Sequence, residues 1–359
     1  MKKICILSIS NIKHMSLITV YIDLLKKHDI EYDIIYKDKY GYKEELLNSN
    51  LFVFKKKQTA ETKRLTKLKN NLQFKTYAKK IIRKNNYDFI IAWGDVTAFI
   101  FSNFLSKSYP NKYSLNIRDY WFQRNPLIFN IFKLGIQSSA FTTISSDAFK
   151  SFLPKFNYVF LHSYNKRILR NLPRRESKTI NKPIRLTFVG NIRYLTINEQ
   201  LLLVFKNDSR FELHFYGTNA NKLKNFSLNN SIINAFFHDK FDVEETNSFF
   251  SKTDIVNNIF GNDNGTATYL LSIRLYHAAH FRVPLLVSAG THMAKIVEKY
   301  NLGFVVDIID DETKEKIFKW YLDFEFDSFS KSCDDFLAYV TIKNEIFEQK
   351  FTNIITNKK

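Results

Sequence analysis

Cysteine is almost missing: Cys5 and Cys333 are the only two in 359 residues, and each sits inside an apolar run. A disulfide framework is therefore excluded, and a reducing, cytoplasmic compartment is expected. No apolar window approaches the roughly eighteen residues a membrane-spanning helix needs. The opening MKKICILSIS carries two lysines ahead of an apolar stretch, but the stretch is short and no small-residue cleavage site follows it, so it reads as a first strand. Glycine is scarce at 9 residues, and neither GxGxxG after the first strand nor GxxxxGK[ST] anywhere is present. That argues against dinucleotide oxidoreductases and P-loop NTPases. The eight histidines are scattered, and His277 with His280 has no companion carboxylate motif, so no metal site is expected. Acidic residues fall short of basic ones, 35 against 54, for a formal charge of +19. Such an excess predicts an anionic partner, whether nucleic acid, an acidic membrane surface or a phosphorylated substrate, and does not choose among them.

What is abundant is core material: 45% of residues are hydrophobic and 16% aromatic, enough for more than one buried core. Short apolar runs alternate with amphipathic stretches, the pattern of βα units around parallel sheets. Strands are expected at Lys3–Ile9, Tyr32–Tyr36, Leu51–Phe54, Tyr87–Trp93, Tyr113–Ile117, Phe141–Ile144 and Tyr158–Leu161. Helices are expected over Leu17–Lys27, Lys63–Lys84 and Val96–Ser106. A polar, basic stretch, NKRILRNLPRRESKTINK, then interrupts the alternation. It resumes with strands expected at Ile184–Val189, Phe211–Tyr216, Ile232–Phe237, Asp254–Ile259, Pro284–Val287 and Gly303–Val306, and Phe336–Ile355 reads as amphipathic helix. The expected organisation is thus an α/β domain over 1–165, a linker over 166–182, a second over 183–335 and a terminal helix over 336–359 that packs on the first.

In open parallel sheets, ligands bind beyond the carboxyl ends of the strands. In the first half this rule selects Ser10 to His14, Gly94 with Asp95, and Arg118 with Asp119. In the second it selects Gly190 to Arg193, Gly217 to Asn219, Gly261 to Asn264 and Ser288 to Thr291. The second set suits an anion. Glycines let the backbone come close, helix starts at Thr196 and near Ser272 offer free N–H groups, and Arg193 or Arg274 adds charge-assisted hydrogen bonds. A nucleoside diphosphate fits that description, although each glycine also has an ordinary steric reading in a βα turn.

Several segments of the second half, taken in order, resemble the donor-binding domain of GT-B glycosyltransferases. The resemblance is closest to the family-4-like enzymes of bacterial capsule, O-antigen and exopolysaccharide synthesis. PIRLTFVGNIRY resembles the strand and glycine loop that open that domain, FELHFYGTN its second strand, and SIRLYHAAHFRVPLLVSAGTHMAKIVEKYNLGFVV its long donor-site signature; IRDYW resembles a segment of the acceptor domain. The resemblance implies two Rossmann-like domains facing across a cleft, with a C-terminal helix crossing back to the first. It also implies a nucleoside-diphosphate sugar as donor, UDP first among the nucleotides, and no metal. Gly190, Arg193 and Arg274 take the phosphate positions, and Gly217, Ser272 and His277 join them as donor-site candidates. Departures accompany the likeness. Counting back from Pro284, His277 and Tyr269 stand where the family's two glutamates fall, and Arg282 stands in place of a glycine. Retention or inversion is therefore not assigned, and Asp263, Asn262 or His277 is left as the ribose contact.

For an inverting reaction a general base must take the acceptor's proton, and Asp119, His14 and Asp95 are the candidates. Each has a plainer reading: an ion pair with Arg118 or a cap before Tyr120 for Asp119, a loop histidine for His14, an N-cap for Asp95. From Lys55 to Lys84 twelve basic residues face Glu61 alone, with Leu65, Leu68, Leu72 and Ile81 spaced as one apolar stripe. That segment suits an anionic membrane surface, or a solvated helix covering the sheet. NPLIFNIFKLGI (125–136) suits membrane, a lipid-linked acceptor or a buried helix. The expected function is glycosyl transfer to a glycan or lipid-linked acceptor at the inner face of the plasma membrane. A non-catalytic GT-B-like subunit is the alternative, and nucleic-acid binding has only the charge behind it.

Overall fold

The computed structural model describes residues 2–15, 17–41, 44–45, 49–59, 61–119, 123–165, 169, 172–178, 183–239, 241, 245–262 and 265–356. Tyr120, Asp263 and much of the stretch 166–182 lie outside them. The chain divides into two compact units, Met1–Asn165 with Ile342–Lys359, and Lys166–Thr341.

Unit 1 is built on a seven-stranded parallel sheet of order β3-β2-β1-β4-β5-β6-β7. Its strands are β1 (Lys3–Ser8), β2 (Glu31–Asp38), β3 (Asn50–Lys55), β4 (Phe89–Trp93), β5 (Tyr113–Ile117), β6 (Phe141–Ile144) and β7 (Val159–Phe160). The central strands form because both faces are buried, which requires unbroken apolar runs rather than alternation. KICILS and FIIAW are such runs, and every residue of the second is buried. The strand order steps outward from β1 to β3 and then jumps back to β4. Right-handed crossovers therefore put helix α1 (Ile18–Lys27) on one face, and α2 (Arg64–Asn85), α3 (Asp95–Ser108) and α4 (Pro126–Gln137) on the other. On the α1 face, Tyr21 packs against Trp93, Phe347 and Phe351, with ring centroids 5.2, 4.8 and 5.0 Å away. The other face closes tightly. A Cβ on Gly135 of α4 would lie 2.1 Å from the Ser102 hydroxyl of α3, so only glycine admits that approach.

Unit 2 carries a six-stranded parallel sheet of order β10-β9-β8-β11-β12-β13. The strands are β8 (Ile184–Val189), β9 (Phe211–Tyr216), β10 (Ala235–His238), β11 (Ile255–Asn258), β12 (Leu285–Ser288) and β13 (Gly303–Val306). Helices α5 (Leu195–Val204), α6 (Ala220–Asn229), α7 (Thr246–Ser251), α8 (Ile273–Phe281), α9 (His292–Lys299) and α10 (Asp311–Asp323) connect them. Its core gathers Phe188, Leu202, Phe205, Phe211, Phe215, Leu223, Ile255, Leu286 and Tyr321. Helix α11 runs from Phe326 to Thr356, ten residues longer at its start than the expected helix, and its residues from Ile342 onward belong to unit 1. Phe347 and Phe351 fix that end in the α1-side core.

Two expectations need correcting, and one buried lysine is added to them. Strand β10 begins at Ala235, not Ile232, because Ser231 takes a left-handed turn (φ 52°) and the Asn234 amide donates to the Phe205 and Phe211 carbonyls. Helix α2 does not carry Leu65, Leu68, Leu72 and Ile81 on one stripe: the three leucines are exposed, whereas Ile81 is half-buried and by helical spacing lies with the packed residues. The buried stripe of the helix is Asn70, Phe74, Ala78 and Ile82, on the side opposite the leucines. Lys37, unremarked in the sequence, is fully buried in β2 with its ammonium donating to Gln58 and Asn71, and burial holds it down to about 8.

Candidate functional site

In both sheets the strand order reverses between two neighbouring parallel strands, β1 and β4 in unit 1 and β8 and β11 in unit 2, and the crevice beyond such a pair is where α/β sheets bind ligands. In unit 2 one side chain spans that point. Arg274, in the first turn of α8, donates from Nη1 to the Val189 carbonyl ending β8 (2.7 Å) and from Nε to Asn258 Oδ1 ending β11 (2.9 Å). Its guanidinium lies 4.2 Å from the Phe188 ring centre and 4.9 Å from that of Phe260. It is 7% exposed, and no carboxylate pairs with it among the described residues. Burial, and secondarily the charge of Arg193, hold it down to about 9, so it remains a cation at neutral pH. A buried cation without a counter-charge is costly to keep, and an anionic ligand removes the cost.

The backbone around Arg274 stays open. Gly190 has φ 126°, and a Cβ there would meet Arg274 Nη1 at 3.1 Å. Arg193 is exposed on the same loop, just before α5. Ser288 accepts the N–H groups of Phe260 and Gly261 at 3.0 and 2.8 Å, fixing the loop after β11, and Asn257 donates to Asn198 of α5 at 3.1 Å. The buried Asn258 Nδ2 has no partner among the described residues. His277 lies half-buried one turn after Arg274, its ring 5.6 Å from Phe250. Burial, His280 and Arg274 hold it down to about 4, so it is neutral at pH 7 and offers hydrogen bonds rather than charge.

Two donor-site candidates have structural duties. The Ser272 hydroxyl caps α8 by accepting the Arg274 N–H at 3.2 Å. Gly217 packs on the neighbouring loop: a Cβ there would fall 1.9 Å from the Gly190 carbonyl, which by itself explains the glycine. Arg282, in the place of a glycine, does take the left-handed conformation (φ 55°), and its guanidinium is held by Asp334 at 3.0 Å.

In unit 1 the carboxyl ends of β4 and β5 bring Asp95 and Asp119 together. Asp95 does not cap α3 from outside. It is the helix's first residue, with Gly94 (φ 86°) at the N-cap, and its Oδ2 accepts the Arg118 N–H at 3.3 Å. Arg118 turns its guanidinium to the Leu161 carbonyl at 3.0 Å and the Ser163 hydroxyl at 2.5 Å. Asp119 is half-buried. Nearby, the buried Asn116 side-chain amide has no partner among the described residues. His14 is exposed at the end of a 3-10 turn after β1, edge-on to Tyr40 at 5.4 Å, and burial with Lys13 and Lys39 lowers its pKa. Sequence reasoning passed over Asn116 and Asn258, whose only signal was a polar residue near the end of an apolar strand.

Burial, then the charge of Asp119, pushes the Asp95 carboxyl up to about 8, against the pull of the backbone N–H groups. In the unfolded chain it titrates near 3.9, so between these values the folded state holds an extra proton and stability falls as pH rises, by at most ~1.4 kcal/mol per pH unit. Urea melts at pH 5 and pH 7.5 should show the wild type losing on the order of 1–3 kcal/mol across that window. Asp95→Asn should lose markedly less, and equal slopes would mean that the carboxyl is ionised throughout.

No protein-family model matches the sequence, and no curated protein does. Solved structures match along nearly the whole chain. Sucrose-phosphate synthase from Thermosynechococcus elongatus aligns over 98% of this chain and 99% of its own with a TM-score of 0.70 at 12% identity. Anabaena HepE in complex with UDP and glucose aligns over 98% and 100%, with a TM-score of 0.67 at 11% identity. A Listeria monocytogenes protein assigned as a UDP-N-acetylglucosamine 2-epimerase aligns over 92% and 90%, with a TM-score of 0.58 at 12% identity. The fold is GT-B. An assigned epimerase among these structures shows that the fold does not by itself select the reaction.

Proposed function

We propose that the chain is a glycosyltransferase that moves a sugar from a nucleoside-diphosphate sugar, UDP first among the nucleotides, to a hydroxyl of a lipid-linked glycan in bacterial surface polysaccharide synthesis. The observation that carries the donor half is Arg274: a buried cation with no carboxylate partner among the described residues, fixed where the strand order of the second sheet reverses. A diphosphate supplies the missing charge, with Arg193 and the open backbone of Gly190 as further contacts and His277 toward the sugar or ribose. UDP fits because HepE, of the same fold, was solved with UDP and glucose. Unit 1 supplies the acceptor's base, with Asp119 ahead of Asp95 and His14. The lipid-linked acceptor and the surface-polysaccharide role rest on the sequence resemblance.

A panel of UDP, GDP, dTDP and CMP, free and as sugar conjugates, tests this reading. Ligands that bind only the native state raise its melting temperature. At a hundred-fold excess over Kd the stabilisation is about 2.7 kcal/mol, a rise of several degrees. A rise with one diphosphate and release of that diphosphate from its sugar conjugate support the enzyme, whereas no response to any of them removes the donor reading. Tyr269 and a neutral His277, standing in place of two carboxylates, favour a second reading as a binding subunit, which predicts the thermal shift without turnover.

A further inference from the structure

We propose that the outer face of the α2–α3–α4 layer of unit 1 docks on an anionic lipid bilayer. The inference is independent of the donor reading and rests on apolar side chains that point away from the core. In α2, Leu65, Leu68 and Leu72 are 82%, 56% and 54% exposed, and helical spacing puts them on one stripe opposite buried Phe74, Ala78 and Ile82. In α4, Leu127 and Leu134 are 76% and 42% exposed, opposite buried Phe132 and Ile136. Between them α3 shows half-buried Val96, Phe99 and Ile100.

The three helices form one layer. Phe74 meets Phe101 at 6.0 Å and Phe99 meets Phe132 at 6.1 Å. Each helix follows its strand and runs back down the sheet, so all three begin at the carboxyl edge, where Leu65, Val96 and Leu127 lie in the first turns and Leu68 and Leu72 follow about one and two turns further along α2. Single exposed leucines are ordinary; a set shared by helices of one layer marks a binding surface.

Charge selects the occupant. Lys69, Lys80 and Arg83 are exposed on α2 and Lys133 on α4, and the segment from Lys55 to Lys84 holds twelve basic residues against Glu61. Leucines set among lysines match the acyl–headgroup boundary of an acidic membrane, where long basic side chains reach up to phosphates while apolar ones enter the acyl region. A second copy of the chain would bring +19 against +19. No helix among the described residues is long and apolar enough to cross a membrane, so the contact is peripheral.

Co-sedimentation of the full chain with phosphatidylcholine vesicles, with and without phosphatidylglycerol, tests the surface. Binding is expected with phosphatidylglycerol, weaker in high salt, and lower by roughly ten-fold or more in Leu65→Ser/Leu68→Ser/Leu72→Ser. Leu127→Ser/Leu134→Ser repeats the test on α4. These side chains are exposed, so melting temperatures and any nucleotide-induced shift should match wild type. That separates a failure here from a failure of the donor site. No sedimentation of the wild type with phosphatidylglycerol, or equal binding by both variants, overturns the proposal. So does a wild-type dimer that the leucine variants dissolve, because it gives the face to a second copy.

Discussion

Arg274→Met should abolish the nucleotide-induced thermal shift while leaving the unliganded chain about as stable as the wild type. The two halves of that outcome come from different terms. Removing an ion from a buried place without a counter-charge is neutral to stabilising, and methionine fills much of the vacated volume. Against this, the Val189 carbonyl and Asn258 Oδ1 lose their donor, at about 1–3 kcal/mol per group left unsatisfied. The sum for the empty protein lies near zero. For the complex there is no compensation, because methionine cannot answer a diphosphate. Loss of a buried charge-assisted contact of about 3 kcal/mol weakens binding by more than a hundred-fold. Arg274→Lys should rescue little, since an ammonium cannot reproduce the planar fork that reaches both strand ends. Differential scanning fluorimetry with titration calorimetry checks both halves. A variant that melts many degrees lower but still binds nucleotide would make Arg274 a strut between β8 and β11.

The strands were the legible part of this fold. Buried parallel strands must be apolar on both faces, so they stand out as short runs, and each of the thirteen lies under an expected one. What escaped was decided between elements. Nothing local says that Gly217 must let the Gly190 carbonyl approach, or that Asn234 will spend its amide on carbonyls and delay β10. On α2 the leucines claimed the apolar stripe by hydropathy. The packed layer took Phe74, Ala78 and Ile82 and also buried Asn70, because a helix seats whichever face complements the sheet. At the candidate site, the rule for strand ends and the family resemblance named Arg274, and periodicity could not show that it is buried with no carboxylate partner among the described residues. Likewise the nearness of Asp95 to Asp119 depends on β4 and β5 being neighbours, a pairing that no spacing in sequence encodes.

Asp119→Asn should lower turnover by two to four orders of magnitude, the usual worth of ~10²–10⁴ for a positioned base, and leave donor binding unchanged. A carboxyl that is buried and lies near a second carboxylate is held in its protonated form. Asp95, pushed up to about 8, is such a carboxyl. At pH 7 that favours a neutral Asp95, and the half-buried Asp119 is the more accessible of the two carboxyls to an acceptor hydroxyl. Asp95→Asn copies a state the wild type already occupies at pH 7, so its turnover should stay within about ten-fold of wild type. The contrast between the two variants is diagnostic in steady-state assays at a single pH. If Asp119→Asn is silent and His14→Ala carries the loss, the base belongs to the loop after β1, where an exposed histidine with a lowered pKa is neutral and competent at pH 7.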